Sequence, residues 1–255
     1  MKNYRVDLHI HTVLSPCANL QMSPDVIVER ALEQQLDIIG IADHNSTKQC
    51  EVIRQMGHEV GLTVLCGAEI NTKEEVHCLT FFEDSNQLNQ FQQYLDTHLP
   101  RIKNKPELFG DQVWVDKDNN ILGEELRLLI VGLDASIDEV NRKVAELGGL
   151  FIPAHVDKPR NSISSQLGFL PGNLTVSGVE LSANANMEAF KNKHPWIKKY
   201  SLITNSDAHI PEQIGSSYTI MQLQESSFNE VKMALKNETG RRVLSIMKKG
   251  ERYGV

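Results

Sequence analysis

Residues 6–11 read VDLHIH, with apolar and polar side chains alternating. That is the pattern of a half-buried strand, in which residues two apart share a side. His9 and His11 therefore project together, with Asp7 beside them. Two imidazoles one residue apart can bind one metal ion, although a strand edge carrying two histidines would look the same. Further groups of the right kind recur along the chain. Asp43 and His44, Glu69, His77, His155, and Asp207 with His209 each lie in or just after a separate apolar run. Counted with His9 and His11, nine imidazoles and carboxylates stand at or near strand ends. Gathered without metal, such groups would be hard to solvate. With divalent cations they form a coordination shell. A mixed imidazole–carboxylate set suits Zn, Mn or Fe and disfavours an all-oxygen Mg or Ca site. At about four to five ligands per ion, they suit two or three ions sharing a bridging carboxylate. Glu69, on a middle strand and with two oxygens, is the best bridge.

The elements that must position these groups follow from hydrophobic period and turn signals. Residues 37–43 (DIIGIAD) and 62–70 (LTVLCGAEI) are nearly all apolar and read as buried parallel strands. Further strands are expected at 76–82, 150–154, 177–182, 200–206 and 217–223. Helices are expected at 23–35, started by Ser23-Pro24-Asp25, at 47–58, closed by Gly61, and at 85–103. Others are expected at 136–147, opened by a Ser136/Glu139 capping box, at 187–193 and at 228–236, with a mildly basic tail after them. This alternation implies an α/β fold with a parallel sheet, right-handed crossovers and an active site where strand C-termini converge. Residues 84–130, with a small hairpin near 112–122, read as an excursion without apolar residues for its own core, so 1–255 is expected to be one domain. His58, His98 and His194 lie away from strand ends and are assigned surface or structural roles.

With 255 residues, 40% of them hydrophobic, the chain can bury a sizeable core. Its net charge of −7 argues against an extended nucleic-acid surface or an anionic membrane as partner. No apolar leader opens the chain, and the longest apolar runs, such as 128–133, are too short to span a bilayer. A cytoplasmic location is therefore expected, with Cys17, Cys50, Cys66 and Cys78 as reduced thiols.

The chain resembles the PHP (polymerase and histidinol phosphatase) family of metal-dependent phosphoesterases. DLHIHT at 7–12, ADHNS at 42–46, PAH at 153–155 and NSDAH at 205–209 carry the resemblance, with GAEI at 67–70 and VHCL at 76–79 between them. It implies a distorted (β/α)7 barrel with a trinuclear metal centre. By resemblance, one ion takes His9, His11, Glu69 and Asp207, and a second takes Glu69, His77 and His155. A third takes His44 and His209 with one ligand from the loop after the first strand. There this chain has Ser15-Pro16-Cys17, with Cys17 where some relatives have histidine. Cys17 would be a thiolate ligand favouring zinc or iron, or the third site would be weak or empty. Asp43 would be a ligand or a partner orienting a histidine.

The implied activity is hydrolysis of a phosphate ester, with metal-activated hydroxide attacking phosphorus at a di- or trinuclear centre. Lys158 and Arg160, just past His155, would clamp the phosphate, Arg being the better bidentate donor. Asp43, His44 or His209 would protonate the leaving oxygen. A small phosphomonoester or nucleotide is the expected substrate. The competing readings are a non-catalytic PHP-like domain that binds metal or docks a partner, and a metal-dependent C–N hydrolase. The last would need a carbamylated lysine at a strand end, and no lysine is so placed.

Overall fold

The computed structural model of the chain describes residues 1–248 and 251–254. Strand β1 (Lys2–Ile10) is followed by α1 (Pro24–Glu33), β2 (Ile38–Ile41), α2 (Cys50–Val60), β3 (Thr63–Asn71), β4 (His77–Phe82) and α3 (Ser85–His98). Then come α4 (Pro106–Phe109), β5 (Val113–Val115), β6 (Ile121–Glu124), α5 (Ile137–Glu146), β7 (Leu150–Pro153) and α6 (Ile163–Gln166). The rest comprises β8 (Val179–Leu181), α7 (Met187–Lys193), β9 (Leu202–Thr204), β10 (Ser217–Leu223), α8 (Phe228–Leu235), β11 (Arg242–Lys248) and β12 (Glu251–Gly254).

One sheet runs in the order β12-β11-β10-β1-β2-β3-β4-β7, and β8 pairs separately with β9. Backbone bonds join these pieces into a curl. Val156 N donates to Glu180 O at 2.9 Å, beside β7, and His11 N donates to Ala208 O at 3.0 Å, beyond β9. The result is an α/β fold with a curled half-barrel sheet, compatible with a distorted barrel. Among the described residues, no helix is long and apolar enough to cross a membrane.

Two expectations are corrected. The sheet is not parallel throughout. β1, β2 and β3 run parallel, but β4 is antiparallel to both β3 and β7. The link between β3 and β4 is a tight turn in which Thr72 N donates to Val76 O, and such a turn can join only antiparallel strands. This reversal puts the start of β4, with His77, at the same end of the sheet as the finish of β3. β7 reverses again and delivers His155 to that end. The basic tail, secondly, is a strand: β11 pairs antiparallel with β10 from Ser217↔Lys248 to Gln222↔Arg242.

The core lies on both faces of the curl. On one, α1, α2, α3 and α5 lay Ile27, Ile53, Phe91 and Val140 over Ile39, Ile41 and Phe151. On the other, Phe228 and Val231 of α8 join Val6, Leu8, Leu65 and Phe81. Each such buried side chain contributes roughly 1.5–3 kcal/mol, so the strand ends that carry the polar groups are rigidly held.

Residues 100–130 are pinned by amides more than by apolar contacts. Gln112, fully buried, donates through Nε2 to Glu125 O and Arg127 O, both at 2.7 Å. Gln49 brackets Val115 in the same way, donating to its carbonyl and accepting from its N–H. Gly110, at φ 98°, presses on the Pro16 carbonyl, where any Cβ would collide. Glu125 ties the segment to the main body by an ion pair with Lys48 at 2.8 Å, and within the segment it pairs with Arg127 at 2.9 Å. Burial would raise the Glu125 carboxyl, but hydrogen bonds from Arg127 and Lys48 outweigh it and hold it at about 2. A depressed carboxyl stabilises above its ordinary 4.5, and that contribution is lost as pH falls toward about 2. Limited proteolysis within 104–130 is therefore expected to accelerate as pH drops through that window. In Glu125→Gln it should be about threefold to tenfold faster at neutral pH and flat across the window.

Candidate metal centre

Glu69, near the end of β3, is the hub. Its Oε1 lies 3.4 Å from His9 Nε2, 2.9 Å from His77 Nδ1 and 3.0 Å from His155 Nε2. Its Oε2 lies 3.5 Å from His11 Nε2 and 3.1 Å from His44 Nδ1. Asp207 closes the other side, with Oδ1 3.4 Å from Nε2 of both His9 and His11. His209 stacks on His11 with ring centroids 4.1 Å apart. Thus six of the nine histidines meet around two carboxylates. His58, His98 and His194 lie elsewhere, His98 bonded to Tyr94 O and His194 stacked on Phe190.

Local backbone geometry aims these groups. The β1–β2 register shifts between Asp7 and Ile10, an irregularity of the kind that re-aims side chains next to a site. The fully buried Asp7 accepts from Ser206 N and Gly215 N at 3.0 Å, pinning the segment that carries Asp207 to β1. Asn45, His155, Asn161 and Asp207 all have positive φ, at 47°, 29°, 55° and 53°. Left-handed non-glycine residues cost about 1–3 kcal/mol each and cluster where function holds the chain.

The charges are strongly coupled. Burial would raise Glu69, yet His77, His9 and the hydrogen bond from His155 hold it well below the usual carboxylate range. Asp207 is likewise held well down, by His9, His11 and Lys158 against the effect of burial. Burial would lower His9, but Glu180, Asp207 and Glu69 push it well above its ordinary value. Burial and the neighbouring His209 push His11 down to about 4, and burial pushes His44 well down.

The donor set fits divalent metal. His44 Nδ1 and His155 Nδ1 are buried without a hydrogen-bond partner among the described residues, although His44 Nδ1 faces Glu69. The ring nitrogens of His9 and His11 face each other at 3.2 Å. Ring nitrogens so disposed need a proton or a metal ion between them. Three sets of atoms lie within 4.8 Å of one another: His9, His11 and Glu69; His44, Glu69 and His77; and His11, His44 and His209. Where the resemblance implies a ligand from the first loop beside His44 and His209, the geometry supplies His11. Cys17 belongs to none of these sets and is an exposed residue. Desolvation of its sulfur and the charge of Glu69 push its thiol up to about 12.

The remaining expected residues divide. Asp43 is buried and spends its oxygens on Thr12 N, Thr12 Oγ1 and Ser15 Oγ, each at 2.7 Å. Ser15 Oγ in turn contacts His11 Nδ1 at 3.0 Å, so Asp43 reaches the cluster only through Ser15. Lys158 reaches in and donates to Asp207 Oδ2 at 2.5 Å. Arg160, farther along the same loop, is exposed.

Glu180 was not foreseen from the sequence. It sits 2% exposed in the middle of β8, 3.1 Å from His9 Nδ1, and accepts from His155 N and Asn205 Nδ2 at 2.8 and 2.7 Å. Its signal was a lone carboxylate in the apolar run of residues 179–181. Asn161, whose Nδ2 is 3.1 Å from His77 Nε2, was missed too. Beside the cluster opens a cavity of about 420 Å³ lined by His155, Lys158, Glu180, Asn184, Ser206 and Asp207.

The fold agrees with that of known proteins. The chain is 25% identical over 281 residues to the uncharacterized protein YqxK of Bacillus subtilis, covering 96% of this chain and 65% of that protein. It superposes on endonuclease Q from Pyrococcus furiosus with a TM-score of 0.72 at 20% identity, over 97% of this chain and 59% of that one. A two-domain protein from Bacteroides vulgatus, containing a predicted PHP-like metal-dependent phosphoesterase, superposes with a TM-score of 0.59 at 17% identity, over 97% and 65%. The chain thus spans about two thirds or less of these relatives. The PHP domain matches residues 7–152 and the PHP-associated region matches 185–239, so the chain belongs to the PHP domain family.

Proposed function

We propose that the chain hydrolyses a phosphate ester at the histidine–carboxylate cluster. The observation that carries this reading is the sharing of Glu69 by five histidines, each within 3.5 Å. Two or three divalent ions, of Zn, Mn or Fe, would be held by His9, His11, His44, Glu69, His77, His155, Asp207 and His209. When bound, such ions neutralise charge on phosphoryl oxygens and acidify water near neutral pH. The protein's own groups do the rest. Glu180 fixes the His9 ring by holding Nδ1, which leaves Nε2 for the metal side. Asp43 holds Thr12 and Ser15, and through Ser15 orients His11. Lys158 supplies a positive charge beside Asp207 where a phosphate oxygen would lie, and Arg160 reaches the outer part of the substrate. His209, with its side chain 28% exposed, is the histidine best placed to meet the leaving oxygen.

The cavity of about 420 Å³ and the net charge of −7 favour a small phosphomonoester or nucleotide. A second reading is a nucleic-acid phosphodiester. It is favoured by the likeness in fold to endonuclease Q, whose solved complex holds a 27-mer duplex with an abasic lesion at the active site.

The test is turnover of a panel by protein loaded with Mn, Zn or Fe. The panel comprises phosphomonoesters, nucleoside bisphosphates and a duplex oligonucleotide with an abasic site, with His155→Ala as control. Release of phosphate from the small esters, lost in the mutant, supports the first reading. Nicking of the duplex alone supports the second. No turnover by protein that retains its metal would leave the non-catalytic and C–N readings.

A further inference from the structure

A larger cavity lies at the opposite end of β8 and β9 from the histidines. Its volume is about 760 Å³, and it opens beside Ser177 and Ser201, before the two strands begin. Lys191, Lys198, Lys199, Lys236 and Arg242 line it, with Glu238 the one acid. They come from α7, from the 3-10 turn Pro195–Lys199, from the end of α8 and from the start of β11. The floor is apolar, formed by Ile197, Leu202 and Leu235, and Tyr200 supplies an aromatic ring.

Several cations elsewhere on the chain are closely paired. Arg30, Lys48, Arg54, Arg127, Lys143 and Arg241 each have a carboxylate within 3.0 Å. In the groove, Lys191 lies 3.8 Å from Glu188, and Lys198, Lys199, Lys236 and Arg242 have no carboxylate within 4.0 Å among the described residues. Lys236 has a local reason to be there, since it caps the C-terminal end of α8, where the helix dipole favours a cation. Lys198 and Lys199 likewise end the 3-10 turn, and Arg242 has no such reason. In a chain of net charge −7, the four cations without a carboxylate partner, gathered from three elements, repel one another until an anion joins them.

We infer that this groove is a second binding site, for a nucleotide phosphate. Cations on a rim above an apolar floor select an anion with an apolar body, and the volume falls within the usual range for small-molecule sites. A nucleotide has both parts: phosphates for Lys198, Lys199 and Arg242, and a base whose face suits Tyr200 and the aliphatic floor. The nucleotide could be free or one unit of a single strand. The inference stands apart from the proposed hydrolysis, because no groove residue touches the histidine cluster.

The experiment is anisotropy titration of the full chain with two probes, a fluorescent ADP and a labelled 12-mer oligothymidylate. It is run in the His155→Ala background so that neither probe is consumed. Saturable binding of either probe is expected, weakened about tenfold or more by the double variant Lys198→Glu, Lys199→Glu and separately by Arg242→Glu. These exposed substitutions should leave the circular dichroism and metal content unchanged. If the ADP probe binds, the ligand is a free nucleotide. If only the 12-mer binds, it is a strand, and the salt slope should fall by about 0.7 for each phosphate contact removed. Absence of saturable binding, or binding indifferent to both variants, would overturn the inference.

Discussion

Glu69→Ala is expected to strip the protein of most of its metal and to lower phosphoester turnover by at least about a thousandfold, some 4 kcal/mol of transition-state stabilisation. The expectation follows from the number of groups that this side chain organises. One oxygen serves His9, His77 and His155, and the other serves His11 and His44. Among the described residues no other carboxylate pairs with the rings of His44, His77 or His155, so without Glu69 that half of the cluster has no anion. Asp207 would still serve His9 and His11, so one weakly held ion is the expected residue of the site. Glu69→Gln sharpens the test. It keeps the volume and one acceptor oxygen but removes the negative charge. Metal content by elemental analysis should fall nearly as far as in the alanine variant, while circular dichroism in chelator stays that of the parent. Full metal content and turnover within about twofold in Glu69→Gln would sink the idea that its charge holds the centre together.

Much of this centre could be read before any fold was known, because strand ends write themselves into sequence. A buried strand is an apolar run, and the polar residue that stops it stands at the sheet's edge. His9, His11, Glu69, His155 and Asp207 were all visible in that way. His77 was harder to place. It opens β4 rather than ending it, and only the five-residue turn at 72–76, too short for a crossover, shows that β4 runs backwards. Glu180 was missed because it lies inside an apolar run that looked like ordinary core. The physics should have flagged it, since a lone buried carboxylate requires a cationic or hydrogen-bonding partner. The first loop is harder to read. Cys17 drew attention as a possible ligand, whereas Ser15 two residues earlier makes the contacts to Asp43 and His11. The basic groove could not be read at all. Its cations fall in residues 191–199, at 236 and at 242, none of them a conspicuous run, and only the packing of α8 and β11 around β9 assembles them.

Chelation should cost the protein much of its heat resistance as well as its activity, and the cost should grow with pH. Each ion held at about a thousandfold excess over its dissociation constant adds about 4 kcal/mol to stability. For a chain of this size each kcal/mol is worth about 2–4 °C, so removing even one ion should lower the melting temperature by about 10 °C. The pH dependence comes from His9. Burial works against its proton, but Glu180, Asp207 and Glu69 overcome that and push its pKa well above 6.5. In the metal-free protein, protonated His9 therefore stabilises the fold fully below 6.5, and that contribution is lost as pH rises through the raised value. Glu69 and Asp207 are shifted down, so their contributions fail only in acid and do not oppose this trend. A bound ion takes the proton's place between the same carboxylates, and loading must release it. The gap in melting temperature between loaded and chelated protein should hence widen from pH 6.5 into mildly alkaline buffer. Calorimetric titration of metal in buffers of different ionisation enthalpy should show about one proton released per chain near neutrality. A gap that narrows with rising pH, or loading with no proton release, would show that His9 does not hold its proton between Glu180 and Glu69. The competition between metal and proton at this cluster would then have to be assigned to another histidine.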